Sequence, residues 1–213
     1  MNLDLYVITD EALSGGLPHI VIAERAVAGG ATVIQLRDKS NSPRDLIRAA
    51  HEIRAITQRA GALFIVNDRL DVALACGADG VHLGQDDIPC GTARQIAPPG
   101  FIIGVSAGTV EEAADAERAG ADYVAASPVF PTGSKADAGP GQGLSLVSAM
   151  RARVRIPVVG IGGIGPGNAA AVIAAGADGI AVISAVVSQP DIAAAAQNLR
   201  AIVARTKRER GDL

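Results

Sequence analysis

Two cations recur at the spacing of an extended strand in the segment Gln35-Leu-Arg-Asp-Lys39. Because side chains alternate along a strand, positions 35, 37 and 39 face the same side. Lys135 adds a third positive charge from a distant segment. An isolated lysine would be equally typical of a solvated strand end that pairs with Asp38. The three cations together favour a site for an anion.

Oxygen ligands for a metal ion occur at Asn67-Asp68 and at Asp87. Mg²⁺ takes one or two carboxylates together with substrate phosphate oxygens and waters, so two acids suffice. In the alternative interpretation, Asp68 caps a helix that begins near Arg69, and Asp87 caps a helix near Pro89. One residue can also serve as both a cap and a metal ligand.

A glycine-rich turn, Gly160-Ile-Gly-Gly-Ile164, and the pair Ile183-Ser184 each follow an apolar run. In many barrels the backbone N–H groups after the last two strands bind a phosphate, and small residues let the anion approach closely. Glycine is also common in simple turns. The position of this turn, near the end of the chain, favours the phosphate site.

The segment Pro131–Gly143 contains Lys135 among several glycines and is longer than a minimal connection. This composition predicts a lid over the active site, and the alternative is a tolerated surface insertion. His82 precedes the second acidic segment. We interpret it as a hydrogen-bonded structural histidine and leave it out of the catalytic set.

Eight short apolar runs, separated by alanine-rich stretches, must position these residues. The predicted strands are Leu5–Ile8, Thr32–Leu36, Leu63–Val66, Gly80–Leu83, Phe101–Val105, Tyr123–Ala126, Pro157–Gly160 and Gly179–Ile183. The predicted helices are 18–29, 42–60, 69–76, 89–97, 109–119, 144–153, 166–175 and 190–206. Strands that are apolar throughout are typical of parallel sheets with both faces covered. The alternation predicts a (β/α)8 barrel, with the polar residues at the carboxyl ends of its strands.

An internal repeat supports the barrel. Four related segments lie between a predicted helix and an even-numbered strand: Ala28-Gly-Gly-Ala-Thr, Cys76-Gly-Ala-Asp, Ala119-Gly-Ala-Asp and Ala175-Gly-Ala-Asp. Glycine supplies the left-handed conformation that ends a helix. The repeating unit is therefore two strand-helix modules. Thr9-Asp10-Glu11 follows the first strand in place of a glycine-rich dinucleotide turn, which argues against a nicotinamide cofactor.

Composition limits the remaining functions. The chain has 213 residues, a net charge of -3, three Phe, two Tyr and no Trp, so it lacks the features of a nucleic-acid-binding protein. We predict no membrane segment, no disulfide from Cys76 and Cys90, and a cytoplasmic location. One domain is expected over residues 1–206, followed by a basic, disordered tail at 207–213. A homo-oligomer is compatible with the sequence.

Seven motifs, in order and spacing, resemble the thiamine phosphate synthase family. They are Tyr6-Val-Ile-Thr-Asp10, Gln35-Leu-Arg-Asp-Lys39, Asn67-Asp-Arg69, Gly80-Val-His-Leu-Gly-Gln-Asp-Asp87, Gly104-Val-Ser106, Pro128-Val-Phe-Pro-Thr132 through Lys135, and Gly160-Ile-Gly-Gly163. The resemblance extends from Tyr6 to about Ser184. It implies a barrel that condenses a hydroxymethylpyrimidine diphosphate with a thiazole phosphate, releasing pyrophosphate.

The resemblance also implies roles for individual residues. Small-molecule substrates and one Mg²⁺ per subunit are expected. The pyrimidine diphosphate would contact Gln35, Leu36, Arg37, Asp38, Lys39, Asn67, Ser106 and Lys135. The thiazole phosphate would contact Thr132, Gly133, Ser134, Gly163, Ile183 and Ser184. Asp68 and Asp87 would hold the metal, and Arg37, Lys39 and Lys135 would be catalytic, stabilising the leaving pyrophosphate.

Three positions depart from the family pattern. Gly108 replaces a common His, Ser127 replaces a common Gly, and Ser134 replaces a common Thr. The related thiazole tautomerases rely on the missing His and tend to lack the metal acids, so both differences favour the synthase. Two further hypotheses are an aldolase-type barrel with Lys135 as Schiff-base former and a non-catalytic phosphate-binding sensor.

Overall fold

The computed structural model describes residues 1–38, 41–134 and 139–212. Eight parallel strands close into a barrel in sequence order, with the eighth strand paired to the first. They are β1 (Leu5–Ile8), β2 (Val33–Leu36), β3 (Leu63–Asn67), β4 (Gly80–Leu83), β5 (Ile102–Ala107), β6 (Tyr123–Ala126), β7 (Val158–Ile161) and β8 (Gly179–Val182). The predicted (β/α)8 barrel is confirmed, and each predicted strand lies within two residues of its observed bounds.

Helices follow the strands around the barrel. They are α1 (His19–Ala28), α2 (Pro43–Ala60), α3 (Leu70–Ala75), α4 (Cys90–Ile96), α5 (Val110–Arg118), α6 (Leu144–Arg153), α7 (Ala169–Ala174), α8 (Ser184–Val187) and α9 (Ile192–Arg210). Local sequence sets several of their starts. The Ser42 hydroxyl caps α2 by accepting the Asp45 N–H, and the Asp191 carboxylate caps α9 by accepting the Ala194 N–H. The short helix α8 was not predicted.

The internal repeat has a structural explanation. The glycines that end α1, α3, α5 and α7 have positive φ, at Gly30, Gly77, Gly120 and Gly176. The polar residue that follows each one accepts the N–H at the start of the preceding odd-numbered strand, and the pairs are Thr32–Leu5, Asp79–Phe64, Asp122–Ile103 and Asp178–Val158. Each quarter of the barrel therefore fastens one strand pair with the same hydrogen bond.

The barrel interior accommodates two tyrosine rings because the strand next to one of them has a glycine at the same level. Gly104 of β5 is in register with Tyr123 of β6. A Cβ atom at Gly104 would lie 2.0 Å from the Tyr123 ring, so only glycine fits there. Tyr6 enters from β1 and contacts Tyr123, with 6.0 Å between ring centroids. Both tyrosines line a small gap in the barrel interior together with polar side chains of β2, β3, β4 and β5.

The predicted tail boundary at residue 206 is wrong. Helix α9 continues through Lys207 to Arg210 and ends at Gly211 in the left-handed conformation. Lys207 pairs with Asp4, and the Arg210 guanidinium donates to the carbonyl oxygens of Ile173 and Ala177. These basic side chains bind the amino-terminal end of the barrel, which the sequence pattern alone does not reveal.

None of the helices in the described ranges combines the length and apolar character that a membrane crossing requires.

Candidate active site

An acidic cavity of about 630 Å³ opens at the carboxyl ends of β3, β4 and β5. It contains both predicted metal ligands, Asp68 and Asp87, and also Asp86, Ser106 and Glu112. Asp68 is the non-glycine residue with positive φ (62°) in the described part of the chain. Such a conformation is costly and is concentrated at functional sites. The two acids therefore lie in one cavity, as the sequence predicted.

The alternative role of these acids as helix caps is wrong. The residue that caps α3 is Arg69, the residue that caps α4 is Pro89, and neither position has a side-chain cap. Instead, Asp87 Oδ2 accepts the Gly84 N–H at 2.6 Å, which shapes its own loop. The Asp68 N–H donates to the His82 carbonyl oxygen at 2.8 Å, which fastens the end of β3 to β4.

Directly after β2 lies Arg37, a cation whose hydrogen-bond donors are only partly paired. Arg37 Nη1 donates to Asp10 Oδ2 at 2.7 Å, whereas its buried Nε has no hydrogen-bond partner among the described residues. A buried donor without a hydrogen-bond acceptor destabilises the folded protein, and a bound ligand can supply the missing acceptor. In the alternative interpretation of this strand end, its cations pair with Asp38. Arg37 pairs with Asp10 instead. Asp38 Oδ2 lies 3.1 Å from His19 Nε2, at the start of α1.

The other predicted diphosphate contacts lie in different layers of the barrel. Gln35, Asn67 and Ser106 face the interior and surround a small gap beneath the cavities. Leu36 is fully buried in the core and lines none of the described cavities, so its side chain is not available for contact. Lys39 and Lys135, both predicted to be catalytic, lie outside the described residues.

A second cavity, of about 560 Å³, lies at the carboxyl ends of β7 and β8. The residues predicted to bind the thiazole phosphate all line it: Thr132, Gly133, Ser134, Gly163, Ile183 and Ser184. The Ser134 and Ser184 hydroxyls lie 3.3 Å apart across its rim. Gly163 has a φ of 59°, and a Cβ atom there would lie 2.5 Å from the Pro131 carbonyl oxygen. The close turn therefore requires glycine.

Ser127 and Pro128 line both cavities, which places them where the two meet. We call this pair of residues the divide. The Ser127 N–H donates to the Ala107 carbonyl oxygen at 3.0 Å, which holds the divide against β5. Sequence reasoning noted Ser127 only as a departure from a family glycine. Its position could have identified it, because Ser127 follows β6 and β6 lies between the strands that carry the two sets of predicted ligands.

Gly108 lies in the acidic cavity, and polar groups surround its Cα. Its N–H donates to Glu112 Oε2 at 2.7 Å, and its carbonyl oxygen accepts from Gln142 Nε2 at 2.6 Å. A Cβ atom at Gly108 would be 3.5 Å from Gln142 Nε2, which is ordinary contact. The glycine is therefore not required sterically. Gln142 and Glu112, which sequence reasoning missed, line the cavity around Gly108.

His82 is a buried, hydrogen-bonded histidine, as predicted. Nδ1 lies 2.9 Å from the Tyr123 hydroxyl, and Nε2 lies 2.9 Å from Ser106 Oγ. Its ring stacks on Tyr123 with centroids 5.6 Å apart. Burial raises the pKa of both Tyr6 and Tyr123 well above the usual range, so both phenols stay neutral. Sequence reasoning missed these tyrosines, because they face inward only once the barrel closes.

The donor set fits Mg²⁺ better than a metal that needs a protein cage. Within the described ranges, no group of three or more His, Cys, Asp and Glu residues is arranged to hold a metal ion. Two carboxylates in an open cavity are what Mg²⁺ uses when substrate phosphates complete its coordination. Burial raises the pKa of the Cys76 and Cys90 thiols, which leaves both protonated and outside this chemistry.

A closed parallel barrel with two cavities at the carboxyl ends of its strands is the architecture of the (β/α)8-barrel class of enzymes. Residues 5–186 match the model of the family described as thiamine monophosphate synthase. The chain belongs to this family and is, by that membership, a transferase.

Named relatives agree with this assignment. The thiamine-phosphate synthase of Methanocella arvoryzae is 63% identical over 205 residues, which cover 96% of this chain and 97% of the relative. That of Methanoregula boonei is also 63% identical, covering 98% and 97%. A solved structure of thiamine phosphate pyrophosphorylase from Pyrococcus furiosus is 46% identical, covers 96% of this chain and 97% of its own, and superposes with a TM-score of 0.90.

Proposed function

We propose that the chain joins 4-amino-5-hydroxymethyl-2-methylpyrimidine diphosphate to a thiazole phosphate, forming thiamine phosphate and pyrophosphate. The observation that carries this proposal is that two cavities of different character meet at Ser127 and Pro128. One cavity is acidic, and the other is lined by glycines, hydroxyl side chains and apolar residues. Two substrates held in them would meet at the divide. The activity named for the relatives supports the same conclusion.

The diphosphate belongs in the acidic half, beside the end of β2. The unpaired Nε of Arg37 would donate to a diphosphate oxygen, while Asp10 holds the guanidinium in place. Lys39 and Lys135 would add positive charge for the diphosphate. Gln35, Asn67 and Ser106 would contact the pyrimidine from below. A preorganised set of donors stabilises the charge that grows on the departing pyrophosphate.

Asp68 and Asp87 would hold one Mg²⁺, which supplies neutralising charge for the pyrophosphate when bound. The acids share one cavity, and Asp87 keeps its carboxylate oriented through the Gly84 N–H. Asp86, the neighbour of Asp87 in the sequence, lines the same cavity but is not a predicted metal ligand. Its substitution therefore provides a control for the role of Asp87.

The thiazole phosphate belongs in the second cavity. Small residues at Gly133 and Gly163 let a phosphate approach backbone N–H groups closely, and the Ser134 and Ser184 hydroxyls add donors at the rim. The apolar part of the same cavity, including Leu13 and Ile164, would pack against the thiazole ring. The ring nitrogen would then face the divide at Ser127.

The chemistry breaks one carbon–oxygen bond and forms one carbon–nitrogen bond. The pyrimidine methylene carbon loses pyrophosphate, which takes the bonding electron pair, and the thiazole nitrogen supplies the pair for the new bond. An aminopyrimidine stabilises positive charge on this carbon, so departure precedes capture, and no protein nucleophile is needed. Strictly concerted displacement in positional isotope exchange would contradict the stepwise order while leaving the overall reaction intact.

The function is tested by incubating the purified protein with Mg²⁺ and each substrate alone or together. Thiamine phosphate should form only with both. Isomerisation of a thiazole carboxylate phosphate without the pyrimidine diphosphate would instead support the tautomerase. Binding of both ligands with no product would support a sensor, and borohydride trapping of a carbonyl substrate on Lys135 would support the aldolase-type barrel.

The remaining expectations on partners follow from the composition and stay predictions. They are the absence of nucleic-acid and membrane partners, a cytoplasmic location, and a homo-oligomeric state that the sequence permits. Small-molecule substrates agree with membership of the family.

A further inference from the structure

A chain of hydrogen bonds crosses the barrel interior beneath the two cavities. Gln35 Nε2 donates to the Tyr6 hydroxyl at 2.7 Å, and the Tyr6 and Tyr123 hydroxyls lie 2.9 Å apart. The Tyr123 hydroxyl is 2.9 Å from His82 Nδ1, and His82 Nε2 is 2.9 Å from Ser106 Oγ. Both ends of this chain, Gln35 and Ser106, are residues assigned above to the pyrimidine diphosphate.

The three inner members are shielded from water. Tyr6 and Tyr123 are 1% and 0% exposed, and His82 is 7% exposed. Burial keeps both phenols neutral, as described above, so each hydroxyl carries one hydrogen and can donate once. The direction of one bond in such a chain therefore determines the direction of the next.

One direction leaves neither buried phenol hydrogen unpaired. The Gln35 amide nitrogen donates to the Tyr6 oxygen, so the Tyr6 hydrogen pairs with Tyr123, and the Tyr123 hydrogen pairs in turn with His82 Nδ1. An imidazole that accepts at Nδ1 carries its hydrogen on Nε2, which then donates to Ser106 Oγ. The Ser106 hydroxyl has its own hydrogen left to donate, and Ser106 lines the acidic cavity.

We propose that Tyr123 and His82 are positioning residues that fix Ser106 as a donor, and that Tyr6 is a positioning residue that fixes Gln35 Oε1 as an acceptor toward the substrate. This inference rests on the proposed function for its ligand. The matching ligand presents an acceptor to Ser106 and a hydrogen-bond donor to Gln35. An aminopyrimidine carrying a diphosphate has both, since its exocyclic amino group donates and its ring nitrogens and phosphate oxygens accept.

The direction of the chain is tested first in the unmodified protein, without any variant or substrate. Long-range ¹H–¹⁵N correlation spectra, with His82 assigned by comparison with His82→Asn, report which ring nitrogen carries the hydrogen. We expect it on Nε2, with Nδ1 showing the shift of a hydrogen-bond acceptor. A hydrogen on Nδ1 would overturn the proposal even if the enzyme is active, and the Nε2 form would support it even if the assayed activity were absent.

Two matched variants test the connection to catalysis. Tyr123→Phe and Tyr6→Phe each delete one hydroxyl from an equally buried ring, but only the first removes the group that contacts His82. The acceptor shift at Nδ1 should disappear in Tyr123→Phe and persist in Tyr6→Phe. Loss in both variants, or in neither, would contradict the order of the chain.

The kinetic readout is a double-mutant cycle with Ser106→Ala. Alone, Ser106→Ala should lower kcat/KM by about tenfold, the effect of one lost hydrogen bond. In the Tyr123→Phe background the further loss should shrink to roughly twofold, whereas in Tyr6→Phe it should stay near tenfold. Additive losses in the Tyr123→Phe background would show that the tyrosine acts only on stability and would overturn the positioning role.

Discussion

Arg37 Nη1 lies 2.7 Å from Asp10 Oδ2, in a contact that links the segment after β2 to the segment after β1. The other oxygen of Asp10 accepts the Leu13 N–H at 3.0 Å, and Leu13 lines the second cavity. One carboxylate therefore holds both the Arg37 guanidinium, which we propose binds the diphosphate, and a wall of the second cavity, which we propose binds the thiazole phosphate. The buried Nε of Arg37 has no hydrogen-bond partner among the described residues, and we propose that the diphosphate provides one.

Replacing this cation should weaken binding of the diphosphate. Arg37→Gln removes a charged donor, and such a hydrogen bond contributes about 1.5–3 kcal/mol, so kcat/KM for the pyrimidine diphosphate should fall about 10- to 100-fold. Arg48→Gln is the matched control, because Arg48 is exposed on α2 and pairs with Asp45. Equal effects of the two substitutions in steady-state kinetics would rule out a specific role for Arg37.

The metal assignment separates two adjacent acids. Asp87→Asn removes a ligand charge but keeps an acceptor for the Gly84 N–H, so the loop should stay intact. The Mg²⁺ concentration for half-maximal activity should rise on the order of tenfold or more, because losing even a group that only orients a metal ligand costs about tenfold or more in metal affinity. Calorimetric titration with Mg²⁺ provides a readout independent of turnover. Asp86→Asn, in the same cavity, should leave both values close to those of the unmodified protein.

The turn after β7 should tolerate a methyl group at one glycine and not at another. Gly163→Ala forces a left-handed residue and a 2.5 Å contact with Pro131, at a cost of about 1–3 kcal/mol, and it should raise the KM for the thiazole phosphate. A Cβ atom at Gly167 meets nothing within 4 Å. Thermal melts and kinetics of Gly163→Ala and Gly167→Ala that coincide would contradict this account of the turn.

Alkaline pH should destabilise the fold through its two tyrosines. Their pKa is raised by burial in the folded state, so above about pH 10 the unfolded chain releases protons that the folded protein retains. The free energy of unfolding should fall by about 1.4 kcal/mol per pH unit for each tyrosine.

Tyrosinate absorbance checks this directly, because Tyr6 and Tyr123 are the two tyrosines of the sequence. The absorbance should appear only as the protein unfolds, and Tyr123→Phe should reduce the slope. Tyrosine ionisation in the folded protein at its ordinary pKa would contradict the buried hydrogen-bonded pair.

The elements of this fold could be predicted because short apolar runs and glycine-ended helices are local signals. The positions of Asp68, Gly163 and Ser184 at strand ends followed from the same alternation. Helix α8 was missed because four residues show no helical period. The hydrogen-bond chain through Tyr6, Tyr123 and His82 was missed because it depends on which strands become neighbours when the barrel closes, and on the space that Gly104 leaves.

The most direct test of the central claim follows both products of one reaction. With Mg²⁺, the pyrimidine diphosphate and the thiazole phosphate, the purified protein should release one pyrophosphate for each thiamine phosphate formed. Omitting the thiazole phosphate should abolish net formation of thiamine phosphate. Pyrophosphate release without thiamine phosphate when both substrates are present, or no reaction under these conditions, would contradict the two-cavity account.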